Sequence, residues 1–409
     1  MDLGNAAILP GLVNSHCHLE LTVFRGLLED LSFRDWIVAL QSAKQAVTTP
    51  ERFLDSARLG IEEGLLAGVT CFADTCDSGV VLGAMRDAGV RGIMYQEVFG
   101  PDPARRDASL AELRQKLRAH RALETPLVRA GVSPHAPYTV SDPLFTAVAE
   151  FAREERLPMA IHVAESEAEQ SLISRASGAF ADGLRARGID VAVRGQSPLA
   201  LLAALGVLDL RPLLIHCVRA DAADISLVAS HACAVAHCPA SNAKFGHGIA
   251  PLVEMLDAGI AVGLGSDSVA SNNLMDILGE ARLAVLGQRA RTLRFDALSA
   301  VRALRLATLG GATALGIADR VGSLEVGKQA DLAAFALDDA GSTPVYDPIA
   351  TLVYSLGARP ARLVAVAGQE LVRDGRLVRQ TGGLRARVAD TAALLASFLT
   401  RSREGVAGR

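Results

Sequence analysis

Ala6-Ala7-Ile8-Leu9-Pro10-Gly11-Leu12-Val13-Asn14-Ser15-His16-Cys17-His18 is an apolar run that ends on two histidines one residue apart. In an extended strand the side chains at i and i+2 share a side, so both imidazoles can reach one ion. Two polar residues at a strand end are ordinarily surface residues, and the pair alone is a weak signal. Recurrence strengthens it. His162 in Ile161-His162-Val163-Ala164-Glu165, His216 in Leu214-Ile215-His216-Cys217 and Asp267 in Gly263-Leu264-Gly265-Ser266-Asp267 each close a further apolar segment. A metal site is the first hypothesis.

Working outward, short β-branched apolar segments alternate with stretches of helical period. Strands are predicted near residues 7–14, 68–74, 91–99, 127–133, 158–162, 212–216, 232–237 and 259–265. Helices are predicted over 51–67, 110–122, 142–156, 221–231 and 249–258, then over 272–286 and 295–315. Parallel neighbours need crossover helices of one hand, so eight alternations predict an α/β fold, a (β/α)8 barrel of the TIM type. The polar residues fall at strand C-termini, the face that carries the chemistry in such barrels. An open doubly wound sheet is the competing arrangement, but no Gly-x-Gly-x-x-Gly turn follows an early strand. The barrel is expected over residues 6–317. Turn-rich short strands then predict a small β domain over 318–383, and 384–409 should hold a C-terminal helix, centred on 388–400, and a tail.

With 409 residues, half of them hydrophobic, the chain can bury a large core. A net charge of -4 with both signs interspersed leaves no basic stripe for nucleic acid and no polybasic membrane patch. The expected partner is a small molecule, with a homo-oligomer left open. No apolar stretch reaches the roughly 18 residues that cross a bilayer, and no signal-like segment opens the chain, so a cytoplasmic location is expected. The six cysteines show no framework of close pairs and read as reduced thiols; Cys17 and Cys217 adjoin candidate ligands but face the other way along a strand.

Taken together, Asn14-Ser15-His16-Cys17-His18, Ser133-Pro134-His135-Ala136-Pro137-Tyr138, His162-Val163-Ala164-Glu165, His216-Cys217, His237-Cys238-Pro239-Ala240-Ser241-Asn242 and Gly265-Ser266-Asp267-Ser268 resemble the amidohydrolase superfamily. Within it they resemble the mononuclear aminohydrolases, the group of the S-adenosylhomocysteine/methylthioadenosine deaminases and the aminodeoxyfutalosine deaminases. The resemblance implies His16, His18, His162 and Asp267 as ligands of one divalent metal ion, with Glu165, His216 and Asp267 catalytic. The residue chemistry agrees, since three imidazoles and a carboxylate leave a coordination position open to water. Zinc is the natural ion, and iron or manganese would accept the same ligands. Glu165 would shuttle protons, Asp267 would accept one from water, and His216 would orient the nucleophile. No lysine accompanies His135, which argues against the carboxylated lysine of two-metal relatives; His135 should contact substrate instead.

The segment from Leu21 to Trp36 looks like the loop that closes over the nucleoside in S-adenosylhomocysteine deaminases, with Trp36, the single tryptophan, against the purine. Those enzymes carry a ribose-binding glutamate two residues earlier, where this chain has Arg34. His18-Leu19-Glu20-Leu21 looks closer to the aminodeoxyfutalosine deaminases of menaquinone biosynthesis, and Glu20 could serve the ribose hydroxyls. A substrate carboxylate could pair with Arg34, Arg105, Arg106 or Arg129. Relatives begin with about fifty residues that build half of the small β-sandwich domain, so either the start of this chain was chosen late or that domain is incomplete. The function implied is hydrolytic deamination of a 6-aminopurine nucleoside modified at the 5′ position: aminodeoxyfutalosine, S-adenosylhomocysteine, methylthioadenosine or adenosine itself. The alternatives are a chlorohydrolase or a guanine, cytosine or s-triazine deaminase on the same scaffold, and, from another class, an inactive barrel serving as an interaction subunit.

Overall fold

The computed structural model describes residues 2–357 and 359–407, with side chains through residue 401. The opening segment is two strands, not one. β1 (Ala6–Pro10) and β2 (Leu12–Cys17) divide at Gly11 and enter different sheets. Pro10 has no N–H for a central ladder, and Gly11 presses so closely on Thr70 that a Cβ would collide with its hydroxyl. The alternation of polar and apolar residues does not reveal such a break, because both halves are extended.

β2 starts a parallel sheet with β3 (Val69–Cys76), β4 (Arg91–Val98) and β5 (Val128–Pro134). A second parallel sheet runs through β6 (Ala160–Val163), β7 (Leu213–His216), β8 (Ala234–His237) and β9 (Ala261–Leu264). Parallel bridges Val132–Met159 and Cys17–Asp267 join the two sheets at both seams, where Val132 N–H donates to Pro158 (2.9 Å) and Asp267 N–H donates to His16 (2.9 Å). The eight strands therefore form the expected ring. Residues of β2, β3 and β4 are buried throughout, and the helices between strands pack onto them through residues such as Leu65, Leu82, Leu117 and Val148. Each such aliphatic side chain removed from water contributes about 1.5–3 kcal/mol. The helices begin where the sequence carries caps. Ser32, Thr49, Ser166 and Ser197 each accept a backbone N–H at a helix start. The expected helix over 249–258 shortens to Leu252–Asp257, because Pro251 occupies its N-cap.

β1 pairs antiparallel with β10 (Leu332–Ala336), and the small sheet continues through β11 (Leu363–Val366), β12 (Gln369–Arg373) and β13 (Arg376–Leu377). Its last two turns, Ala367-Gly368 and Asp374-Gly375, have positive φ at both central residues, the hairpin turn whose twist matches the strands. The small sheet is thus assembled from both ends of the sequence. It is fastened to the barrel by Arg91 at the start of β4, whose Nε and Nη2 donate to the two oxygens of buried Asp331 at 2.7 and 2.9 Å. The C-terminal helix Leu384–Ala407 lays Leu384, Val388 and Leu395 in an apolar cluster with Phe24, Trp36 and Leu40 from the segment above the barrel mouth. Among the described residues no helix is long and apolar enough to cross a membrane, and all six cysteines are free and buried.

Candidate active site

His16 and His18 at the end of β2, His162 in β6 and Asp267 just beyond β9 meet at the C-terminal mouth of the ring. Nε2 of His16 lies 3.2 Å from Oδ1 of Asp267, and Nε2 of His18 lies 3.6 Å from the same oxygen. A nitrogen of each of His16, His18 and His162 falls within 4.8 Å of the others. Two ligands about 2.1 Å from one ion at tetrahedral angles are about 3.4 Å apart. The observed separations bracket that value. His162 Nδ1 is 3.1 Å from the carbonyl oxygen of His135; a carbonyl only accepts, so Nδ1 carries the proton and Nε2 keeps its lone pair for a cation. Burial lowers all three histidines, His18 to about 3, so the rings are in the neutral form that ligates. For Asp267 burial acts against ionisation, but the hydrogen bond with His16, followed by the His16, His216 and His18 imidazoles around it, outweighs that and holds the carboxyl well below the usual range. Ser271 Oγ (3.0 Å), the Ser268 N–H (2.7 Å) and Ser241 Oγ also donate to it. His16, His18 and His162 form one group able to hold a cation, and His16, His216 and Asp267 form a second that shares His16.

The backbone that presents these groups is strained. Ala164, His216 and Asp267 have φ of +52°, +75° and +57°, a region that costs a non-glycine residue about 1–2 kcal/mol. At the turn after β6, Glu169 compensates. Its two carboxylate oxygens accept the N–H groups of Ala164 (3.0 Å) and Glu165 (2.8 Å). Glu165 is thereby aimed inward, with Oε1 3.6 Å from His216 Nε2 and 3.6 Å from His247 Nε2, and Oε2 3.4 Å from the Tyr138 hydroxyl. Burial opposes its ionisation, yet the His216 and His247 imidazoles outweigh that and hold the carboxyl below the usual range. His216 is oriented in turn by Asn242, whose Oδ1 lies 2.9 Å from Nδ1.

A cavity of about 460 Å³ opens above these groups, a volume suited to a small organic ligand. One wall is apolar, formed by Phe33, Trp36, Leu40 and Phe245; Trp36 packs edge-on to Phe245 at 5.1 Å. The lining also includes the polar side chains of Glu20, Lys44, Glu97 and His135. His135 lines the cavity as expected, its Nδ1 2.8 Å from Thr139 Oγ1. Glu20 is buried rather than exposed. It accepts from Cys76 Sγ (3.1 Å), from the Ser78 N–H (3.1 Å) and hydroxyl, and from Lys44 Nζ (3.4 Å). Glu97 is also buried, its Oε1 without a hydrogen-bond partner and 3.9 Å from His135 Nε2; burial pushes its carboxyl well up.

Arg34 does not join them. In the helix Phe33–Val47, residues 33, 36, 37 and 40 face the cavity at helical spacing, while Arg34 turns outward beside Asp35 (3.6 Å). Arg105 is exposed and Arg106 half-buried, both outside the cavity, and Arg129 reaches toward the Leu315 carbonyl (3.4 Å). The arginine that lines the cavity is Arg187, beyond the helix Ala179–Arg185, with no ion pair among the described residues. Nothing in its local sequence marks it. Sequence reasoning also passed over His247, Lys44, Glu97 and Glu169; only Tyr138 and Asn242 stand inside motifs that it singles out.

The amidohydrolase family model matches residues 7–371. The chain belongs to the amidohydrolase family. It is a hydrolase of non-peptide carbon–nitrogen bonds. Among similar proteins is the 5-methylthioadenosine/S-adenosylhomocysteine deaminase of Syntrophobacter fumaroxidans, 34% identical over 92% of this chain and 83% of the relative. The enzyme of the same name from Moorella thermoacetica is 33% identical over 92% and 84%. Among solved structures, an adenosine deaminase from Xanthomonas campestris with bound zinc superposes with a TM-score of 0.85 at 32% identity, covering 96% of this chain and 87% of that one. The atrazine chlorohydrolase of Arthrobacter aurescens complexed with zinc gives 0.81 at 28%, covering 96% and 88%.

Proposed function

We propose that this amidohydrolase is a metal-dependent deaminase of a 6-aminopurine nucleoside, acting on adenosine or on an adenosine extended at its 5′ position. The observation that carries the reading is the convergence of Glu165 and His216 with His16, His18, His162 and Asp267 beneath an aromatic wall, in a chain whose relatives are named as adenosine-type deaminases. A zinc ion held by His16, His18, His162 and Asp267 would lower the pKa of water from about 15.7 to around 7 and supply a hydroxide equivalent at neutral pH. Glu165, ionised although buried, takes a proton from the attacking water and passes it to the ring nitrogen beside the carbon under attack. Asp267 accepts the second water proton, which leaves on the departing amine; the C–O bond forms first as the ring nitrogen takes its proton, the C–N bond then breaks, and ammonia is released. His216 Nε2 faces the same space and orients the nucleophile.

Trp36 and Phe245 enclose the purine, while His135 and the Glu20–Lys44 pair face the sugar. Arg187 supplies the cation that Arg34 does not, at a position suited to an anionic 5′ substituent such as the carboxylates of S-adenosylhomocysteine and aminodeoxyfutalosine. If aminodeoxyfutalosine is the substrate, the enzyme acts in menaquinone biosynthesis, and a cytoplasmic location belongs to the same reading. The test is ammonia release from adenosine, methylthioadenosine, S-adenosylhomocysteine, aminodeoxyfutalosine and an s-triazine, with metal content measured on the same preparation. Turnover of a nucleoside supports the reading. Turnover of the triazine alone favours the chlorohydrolase-like alternative, and a metal-free chain inert on the whole panel supports the interaction subunit.

A further inference from the structure

We propose that His247 is a positioning residue for the Glu165 carboxylate, the donor that holds this proton carrier in place during turnover. The inference rests on the deaminase reading above and adds a residue to it. His247 stands between Gly246 and Gly248, which adopt φ of +67° and +108°; the turn they make brings the imidazole back over the barrel mouth. Its own N–H donates to the Asn242 carbonyl at 2.9 Å. The ring is wedged edge-on to Phe33, with centroids 4.7 Å apart, and stacked on Phe245 at 5.4 Å. Nε2 is buried and makes no hydrogen bond, and Oε1 of Glu165 lies 3.6 Å away.

The other imidazole near that oxygen is not suited to the task. Asn242 Oδ1 accepts the Nδ1 proton of His216, so the Nε2 of His216 that faces Glu165 carries a lone pair when the ring is neutral. With that ring neutral two acceptors face each other at 3.6 Å, so His216 attracts the carboxylate only in its charged form and donates no hydrogen bond to it otherwise. His247 can hold its single proton on Nε2, directed at Oε1, while the Tyr138 hydroxyl donates to Oε2 from the other side. Asn242 thus governs both rings, the side chain setting His216 and the carbonyl setting the His247 backbone. A buried carboxylate without that donor would lose its aim and part of its ionisation.

Two substitutions separate the hydrogen bond from the packing. His247→Phe keeps an aromatic ring against Phe33 and Phe245 and removes the donor; His247→Gln keeps an N–H within reach and removes the ring. On whichever nucleoside the wild type turns over, H247F should lower kcat about a hundred-fold, with KM within about threefold and zinc content unchanged, and H247Q should retain the greater part of kcat. A ring that served only as packing would give the reverse order, Phe active and Gln impaired, and that result overturns the proposal. So does an H247F variant with kcat within twofold of wild type. Should H247F fail to fold by its urea transition, His247→Met takes its place under the same two criteria. A wild-type protein that turns over no nucleoside at all refutes the deaminase reading instead, so the two failures are distinguishable.

Discussion

Replacing Glu169 by Gln tests how the strained turn after β6 is held. The native carboxyl group, pushed up to about 8 by burial, receives two consecutive N–H groups, from Ala164 at 3.0 Å and Glu165 at 2.8 Å, and Ala164 sits at φ +52°. Glutamine offers one oxygen and sets an NH2 group against the other N–H, so one buried donor loses its acceptor. Such a loss costs about 1–3 kcal/mol, comparable with the ~1–2 kcal/mol by which an alanine disfavours the left-handed region. The two quantities are close enough that the turn should relax in the variant, and Glu165 should leave its place 3.6 Å from His216. A displacement of about 1 Å at a reacting group is worth up to ~100-fold in rate. The expected outcome is a kcat lowered about 10- to 100-fold in a steady-state ammonia assay, with zinc content retained, because His162 is held separately through His135. Ala164→Gly supplies an internal control. Glycine adopts this φ without penalty, so the double variant should regain part of the lost rate. An E169Q enzyme that loses stability in urea yet keeps kcat within about twofold would refute the reasoning, since the clamp would then support the fold and not the chemistry.

Glu165→Gln should keep its metal and lose turnover, whereas Asp267→Ala should lose both; metal analysis beside kcat separates them, and near-normal rates in E165Q would remove its proton role. Arg187→Ala should raise KM for S-adenosylhomocysteine about tenfold or more, the value of one charge-assisted contact, while leaving adenosine unaffected; equal changes for both would exclude a role in reading the 5′ group. Glu280, buried in the first turn of the helix Ile277–Thr292, accepts from the Ala240 N–H at 3.0 Å and from Asn272 Nδ2 at 2.7 Å, yet burial raises it from 4.5 to about 8. The folded chain then binds more protons than the unfolded one between those values, so this group makes stability fall as pH rises from about 5 to 8. Glu280→Gln should flatten that slope in urea midpoints taken across the window, and an unchanged slope would show that the group is ionised throughout.

The histidines and carboxylates that gather at the mouth were legible because their information is local and periodic. Each closes a short apolar segment, strand ends converge on one mouth in a parallel ring, and His162 carries Glu165 three residues on. The eight strands were legible for the same reason, with the exception of the first, where the change of sheet at Gly11 depends on contact with Thr70 and not on any property of residues 6–17 themselves. Arg34 was placed by analogy of position, and the helix turned it to solvent because Phe33, Trp36, Ile37 and Leu40 claimed the inward face.

By itself, then, the sequence determined the family, the ring of strands and the set of groups able to bind a cation and move protons, since these follow from residue type and spacing along single strands. Only the tertiary structure decided what surrounds them: that β1 completes the small sheet, that Glu20 is engaged by Ser78 and Lys44, that Arg187 lines the cavity, and that Glu169 and His247 flank Glu165. Apart from Glu169, which is four residues from Glu165, those relations join residues brought together by the packing of separate segments, and neither periodicity nor propensity within one segment carries the geometry of two.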